Sequence, residues 1–403
     1  MRAILHCDLN NFFASVEMLT KPELRNVPMA VSGDPNKRHG IILAKNQIAR
    51  KYGIYTPETV YSALRKCPKL VLVKPHYEEY VKYSKLVNKI YQKYTDRVEK
   101  FSIDESFLDV TESISIFGTP YEIAYKIKEE VKSKYNLTIS VGVSFNKTFA
   151  KLGSDLKKPD AITVLDYENY KEKIYDLPVN MLLYVGKNTK SKLNKLGIKT
   201  IGDLALSNKY RIVKHLGKFG EQIHNHANGI DDDPVKYYYE KEERKSISKG
   251  ITFESDISDI IVLEKEFVKL TSDVAFTLRK NNMKASVVSI VFKDAMFVSS
   301  SRQKKINFTN SFDEICKSVI ELVRENYKNG VAIRYICVGL SSLKQKSDNE
   351  QLDLFNMLEE NVKSKKNNEN KEKATKVMDK LKEIYGDKID YASTIDIHKK
   401  VPK

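Results

Sequence analysis

This sequence predicts a mixed α+β fold in several domains, on three observations. Strand-like and helix-like hydrophobic periods are interleaved through roughly the first 165 residues. From about Asp166 to Asp233 the periods are helical throughout. Around Ser246 the pattern changes again, to one long helical stripe followed by alternating strands. A length of 403 residues suits that division, at roughly 2.7 domains by the usual domain size.

The elements follow in order. Residues 1–10 form a strand, and Phe12 to Leu19 the helix after it. A small αβ region runs to about Lys74. In it Gly40-Ile41-Ile42-Leu43-Ala44 is a strand, Asn46 to Tyr52 a short helix, and Pro57 and Pro68 bracket another helix. Between Tyr80 and Tyr94 the positions Leu86, Val87, Ile90, Tyr91 and Tyr94 recur at helical spacing. Val98 to Val110 is a β-hairpin with Asp104-Glu105 beside its turn. Ile123, Ala124, Ile127 and Val131 mark an amphipathic helix, and Leu137 to Phe145 alternates as a strand. After the helical region, Lys236 to Lys245 is a charged, tyrosine-rich linker. Leu263, Phe267, Leu270, Val274 and Leu278 form the long stripe, with strands expected near Ser286–Phe292, Met296–Arg302 and Ala332–Leu340. Beyond Ser342 the chain turns polar; Ser364 to Lys373 cannot bury enough surface to fold alone, and a short helix is expected near Ala374–Tyr385.

Lys and Arg outnumber Asp and Glu by 69 to 53, a formal net charge of +16. Such an excess favours a polyanion or an anionic membrane surface as partner. No apolar run approaches the roughly 20 residues of a membrane span, and the N-terminus enters a strand without the apolar stretch of a signal peptide. Nucleic acid is therefore the expected partner, and the cytoplasm the expected compartment. Cys7, Cys67, Cys316 and Cys337 are scattered, with no CxxC pair or Cys/His cluster, so a zinc site is not expected and reduced thiols are. His224 and His226, two apart in a helix, point to different faces.

Two acidic stretches carry the chemistry. In Ile4-Leu5-His6-Cys7-Asp8 and in Phe101-Ser102-Ile103-Asp104-Glu105 a carboxylate stands beside an apolar run that reads as a buried strand. If the two strands pair, Asp8, Asp104 and Glu105 converge. Like charges at close range repel, and divalent cations relieve the repulsion. Oxygen ligands with open positions suit Mg²⁺ and phosphates, and two such ions roughly 3.5–4 Å apart serve an in-line phosphoryl displacement. Taken alone, Asp104 and Glu105 are ordinary hairpin-turn acids; the partner Asp8 and the flanking strands set them apart.

With these residues in view, the chain resembles the Y-family DNA polymerases over about residues 1–345, plus a terminal peptide. The resemblance implies a right-hand-like layout: a palm (1–10 and 78–165), small fingers (11–77), a helical thumb (166–233), a linker (234–245), a separate α+β little-finger DNA-binding domain (246–343) and a polar tail (344–403). It implies low-fidelity, template-directed synthesis across damaged bases by a bacterial, cytoplasmic, monomeric enzyme. The partners would be primer-template DNA, dNTPs and the sliding clamp, and the cofactor two Mg²⁺ ions.

The same resemblance assigns residues. Asp8 and Asp104 match the metal-binding aspartates, with the Leu9 carbonyl as a further ligand, and Glu105 matches the catalytic glutamate that also touches a metal. Asn10 stands where many relatives carry a second Asp, outside that triad. Phe13 matches the steric gate, a ring that leaves no room for a 2′-hydroxyl; of the pair, Phe12 is the expected core residue. Arg50 matches a fingers arginine that reaches the triphosphate, whereas Gln47 replaces a Tyr that contacts phosphate in some relatives. Lys158, in Lys157-Lys158-Pro159-Asp160, would grip the β/γ-phosphates. Val185 to Leu204 resembles a helix-hairpin-helix whose usual Gly-x-Gly turn is here Val185-Gly186-Lys187. In the last domain Lys245, Lys249, Arg279, Lys280, Lys284, Arg302, Lys304, Lys305 and Arg334 would track duplex phosphates. Gln351-Leu352-Asp353-Leu354-Phe355 resembles a clamp-binding peptide, with Gln351 bonding and Leu352, Leu354 and Phe355 filling apolar subsites. Two rivals use the same residues: a metal-dependent nuclease, and a non-catalytic clamp-associated DNA-binding protein.

Overall fold

The computed structural model describes residues 2–34, 40–240, 243–345, 375 and 377–384. The chain divides into two compact units, Met1–Lys241 and Glu242–Lys403. The first holds strands β1 (Ile4–Leu9), β2 (Met29–Ser32), β3 (Ile42–Lys45), β4 (Val71–Val73), β5 (Val98–Lys100), β6 (Glu105–Asp109), β7 (Ile139–Ser144) and β8 (Ile162–Leu165). Its helices are α1 (Phe12–Thr20), α2 (Gln47–Lys51), α3 (Val60–Lys66), α4 (Tyr77–Tyr91), α5 (Ile114–Phe117), α6 (Pro120–Tyr135), α7 (Lys147–Leu156), α8 (Tyr170–Ile174), α9 (Lys187–Lys195), α10 (Ile201–Leu206) and α11 (Lys209–Ala227).

The central sheet has the order β5-β6-β1-β7-β8. β1 is antiparallel to both its neighbours, β6 and β7, and every residue of it is buried. A strand covered on both faces needs two apolar sides, and its alternation divides them. Leu5, Cys7 and Leu9 pack with Tyr80, Val87 and Ile90 of α4 and Ile123, Ile127 and Val131 of α6. Ile4 packs on the opposite face, with Phe107 and with Ala150 of α7. His6 and Asp8, two and four residues on, share that second face. Helix α7 lies almost on the sheet because β7 carries Gly142, where a Cβ would fall 1.9 Å from the Ala150 carbonyl oxygen.

A second sheet, β3-β2-β4, joins an antiparallel to a parallel pair. Helices α8 to α11 enclose a core that includes Ile174, Leu193, Ile201, Leu204 and Ile223. The turn between α9 and α10 has Gly197 at φ 81°, a left-handed conformation that glycine adopts without penalty.

The second unit holds β9 (Ser246–Ile257), α12 (Ile260–Lys280), β10 (Met283–Asp294), β11 (Ser299–Thr309), α13 (Phe312–Asn326) and β12 (Ile333–Gln345). Its antiparallel sheet has the order β11-β10-β12-β9, with Leu263, Phe267, Val274 and Leu278 of α12 and Ile315 and Val319 of α13 in its core. Residues 377–384 are helical, within the span expected near the C-terminus. They attach to α12 through a two-pronged bond from Arg279 to Asp379, both prongs 2.7 Å, and through Lys382 to Asp273 at 2.7 Å. The strand expected at Met296–Arg302 begins instead at Ser299. Asp294 caps a turn there, accepting from the backbone N–H groups of Met296 and Val298, and Phe297 takes φ 64°. The sequence patterns also left β9 and α13 unread. Among the described residues no helix is long and apolar enough to cross a membrane.

Candidate active site

The pairing of β1 with β6 sets Asp8 directly opposite Glu105. Opposed residues of an antiparallel pair project on the same face, so two carboxylates separated by nearly a hundred residues share one patch of sheet. Asp104 sits one residue before β6, its carbonyl accepting from the N–H of Leu9 at 3.1 Å. Its side chain accepts from the Ser102 hydroxyl at 2.6 Å. The three predicted acids and Leu9 are thus neighbours at one end of the β1–β6 ladder. Arg50 is exposed on α2, in the layer of the smaller sheet. Gln351, Leu352, Leu354 and Phe355 lie outside the described residues.

The acids are closely countered by ammonium groups. Lys151 Nζ lies 2.9 Å from Glu105, 3.4 Å from Asp8 and 3.1 Å from Asp155. Lys158 Nζ lies 2.7 Å from Asp8 and 2.7 Å from Asp155. Lys158, expected on a phosphate, is therefore placed at the acids. Lys151 and Asp155, given no role of their own in the sequence, stand one turn apart on α7.

Burial, and then the hydrogen bond with Asp8, push the Glu105 carboxyl up to about 7 against the pull of Lys151. Burial also raises Asp104, with Asp8 adding to it and the Ser102 bond opposing it. Burial opposes the charge on both lysines, yet the surrounding carboxylates hold each above its ordinary value, Asp155 foremost for Lys151 and Asp8 foremost for Lys158.

Two buried polar side chains brace this patch. Ser154 lies 2.8 Å from the Lys151 carbonyl and, through the same hydroxyl, 2.8 Å from His6 Nδ1. The His6 Nε2 atom is buried without a hydrogen-bond partner, 3.8 Å from Glu105. Burial, helped by Lys151 and Lys158, keeps this imidazole well below its ordinary pKa. Asn10, also buried, accepts from the Asp160 N–H at 2.8 Å and donates to Ser140 at 2.9 Å. It ties the Lys158-Pro159-Asp160 turn to β1 and β7.

The donor set suits a hard divalent cation: carboxylate oxygens and a backbone carbonyl, with the Glu105 carboxyl raised by burial and by its bond to Asp8. Among the described residues, no three Asp, Glu, His or Cys side chains form a closed metal cage; Asp8 and Glu105 point at lysines.

Phe12 is buried and Phe13 half-buried. The Phe13 ring stacks on Tyr80, whose hydroxyl donates to the buried Glu17. In the second unit most of the basic residues expected on DNA already hold partners. Lys249 bonds Asp273 at 2.6 Å, Lys280 pairs with Glu383 at 3.3 Å, Lys304 bonds Glu321 at 2.8 Å and Arg334 bonds Asp256 at 3.2 Å.

Comparison with known proteins is concordant. Residues 7–155 match the impB/mucB/samB family and residues 244–354 its C-terminal domain. Residues 182–231 match the DNA polymerase-iota thumb domain. DNA polymerase IV of Acetivibrio thermocellus is 44% identical over 355 residues, covering 88% of this chain and 89% of that one. DNA polymerase IV of Clostridium kluyveri is 39% identical, covering 96% of each. A solved Y-family DNA polymerase chimera superposes with a TM-score of 0.76 at 26% identity, over 85% of this chain and 99% of its own.

Sequence and fold shared with enzymes that copy DNA define a DNA-directed DNA polymerase. The chain belongs to the Y family of these polymerases, the impB/mucB/samB group, which is metal-dependent and serves translesion DNA synthesis.

Proposed function

We propose that this chain extends primers past damaged template bases with low fidelity, and that Asp8, Asp104, Glu105 and the Leu9 carbonyl form its reaction centre. The observation that supports this most is the register that sets Asp8 opposite Glu105 with Asp104 alongside. Two Mg²⁺ ions held there would ease deprotonation of the primer 3′-hydroxyl and neutralise the departing pyrophosphate. Lys158, on the rim of the patch, would turn from Asp8 to the β/γ-phosphates as a point charge. Arg50 would add a forked contact to the triphosphate, and Phe13 would lie under the sugar and exclude a 2′-hydroxyl, which would lose its water there without gaining a partner.

In this reading residues 1–10 and 78–165 are the palm, 11–77 the fingers, 166–233 the thumb and 246–343 the little finger, joined by 234–245. The peptide Gln351 to Phe355 would dock Leu352, Leu354 and Phe355 on a sliding clamp and raise the local concentration of a monomeric, weakly held enzyme at the primer end. Its place of work would be the bacterial cytoplasm, where that DNA lies.

A labelled primer-template with Mg²⁺ and dNTPs, undamaged and damaged, tests the proposal. Extension is expected, together with its collapse in Asp104→Ala while DNA binding persists. Shortening of the primer would replace this reading with a nuclease. Absence of extension in the parent, so that Asp104→Ala has no activity to lose, would leave only a DNA-binding scaffold.

A further inference from the structure

Among the described residues, Lys151 is the one group that touches Glu105, Asp8 and Asp155 together, at 2.9, 3.4 and 3.1 Å. It projects from α7, which Gly142 allows down onto the sheet. Its own carbonyl is tied through Ser154 to His6 on β1. The base of the side chain is therefore fixed, and its ammonium is the part that can swing. Asp155, one helical turn on, is the most exposed acceptor in this set, its side chain 38% exposed against 19% for Glu105 and 8% for Asp8. It also takes Lys158 at 2.7 Å. The result is a chain of alternating charge, Glu105–Lys151–Asp155–Lys158–Asp8, in which Asp8 Oδ2 is shared by both lysines.

We infer that Lys151 is a resident cation for the acidic patch and that Asp155 is the acceptor to which it withdraws when a divalent ion takes Asp8 and Glu105. The inference rests on the metal-binding reading above. Two carboxylates brought face to face need a positive charge to stay there, and Lys151 supplies one built into the chain. An incoming ion has to displace it, so Lys151 lowers the affinity for metal. Displacement costs less if the ammonium keeps one carboxylate partner, and Asp155 is placed to be that partner. Both are positioning residues: neither is assigned to the substrate. The device keeps the acids paired before metal and nucleotide arrive without closing the site to them.

The test is Mn²⁺ binding to the full chain without DNA or nucleotide, followed by loss of the free-ion electron paramagnetic resonance signal. Asp8→Asn identifies the component that belongs to this site. Lys151→Met is expected to bind Mn²⁺ several-fold more tightly than the parent, and Asp155→Asn several-fold more weakly. The decisive readout is their combination, because contacting residues couple. If Asp155 acts by holding Lys151, Asp155→Asn has much less effect in the Lys151→Met background. An equal loss in both backgrounds would mean plain long-range charge and would overturn the inference, as would unchanged binding in either single variant. Asp155 is exposed enough that Asp155→Asn should keep the parent's melting temperature, so its result stands even where Lys151→Met fails to fold. Mn²⁺ binding untouched by Asp8→Asn would sink the metal reading itself, whereas binding lost in Asp8→Asn but indifferent to Lys151 and Asp155 would sink only this inference.

Discussion

Phe13 lies flat on Tyr80, ring centroids 4.1 Å apart and planes 10° from parallel. Tyr80 is itself immobilised: fully buried, it donates its hydroxyl to Glu17, which also meets His76 Nδ1 at 2.9 Å. A ring backed so firmly cannot retreat from a substituent pressed against its free face. Phe13→Ala should therefore admit ribonucleotides, read as rNTP incorporation opposite an undamaged template. Unchanged rejection of rNTPs would remove Phe13 from the gate.

Glu105→Gln should lower primer extension by roughly 10²-fold or more while DNA affinity stays near the parent's, the usual scale for losing a group that acts in proton transfer or on the metal. A single-turnover extension assay beside a DNA-binding titration separates the two.

The raised Glu105 carboxyl also predicts a pH effect on the metal-free protein. Its ordinary value is 4.5 and its folded value about 7, so between these limits the native state holds more protons than the unfolded one. Stability must then fall as pH rises through that window. Urea denaturation in the presence of a chelator should show the decline, and Glu105→Gln should flatten it. A Glu105→Gln curve parallel to the parent's would refute the assignment.

Gly142→Ala tests how closely α7 must approach. The added Cβ would meet the Ala150 carbonyl oxygen at 1.9 Å and the Ser154 nitrogen at 2.5 Å, both backbone atoms that cannot rotate away. Overpacking of this kind costs about 1–3 kcal/mol. It should also lift Lys151 off the acids, so a lower melting temperature should come with reduced extension.

Phe355→Ala should leave extension unchanged without a clamp and abolish the stimulation given by the bacterial sliding clamp. Stimulation that survives the change would exclude the peptide.

Much of this fold is legible in sequence because its periods are clean. Leu86, Val87, Ile90 and Tyr91 mark α4, and Leu263, Phe267, Val274 and Leu278 mark α12. β9 escaped because only Ile247 and Phe253 of its twelve residues are buried, too few to show a period. β2 and β4 are four and three residues long, shorter than the window in which alternation can be seen. At the site, Asp8 and Glu105 stood out because a carboxylate at the end of a buried run is costly and needs a reason. Lys151 and Asp155 have no task of their own there, and Asn10 stands only as a departure from relatives, since each is unremarkable in its own element. Only strand register and the approach of α7 give them a task, and neither is written in local pattern.

The ion pairs of the second unit bear on how the protein grips DNA. A lysine or arginine already seated on Asp256, Asp273, Glu321 or Asp379 must trade one anion for another when phosphate arrives. Such an exchange sets free little of the small-ion atmosphere around the duplex, whereas an unengaged ammonium displaces about one counterion each time. The census of 69 cationic side chains is thus a ceiling on the salt sensitivity of binding, and the measured slope should reveal a grip far gentler than that total.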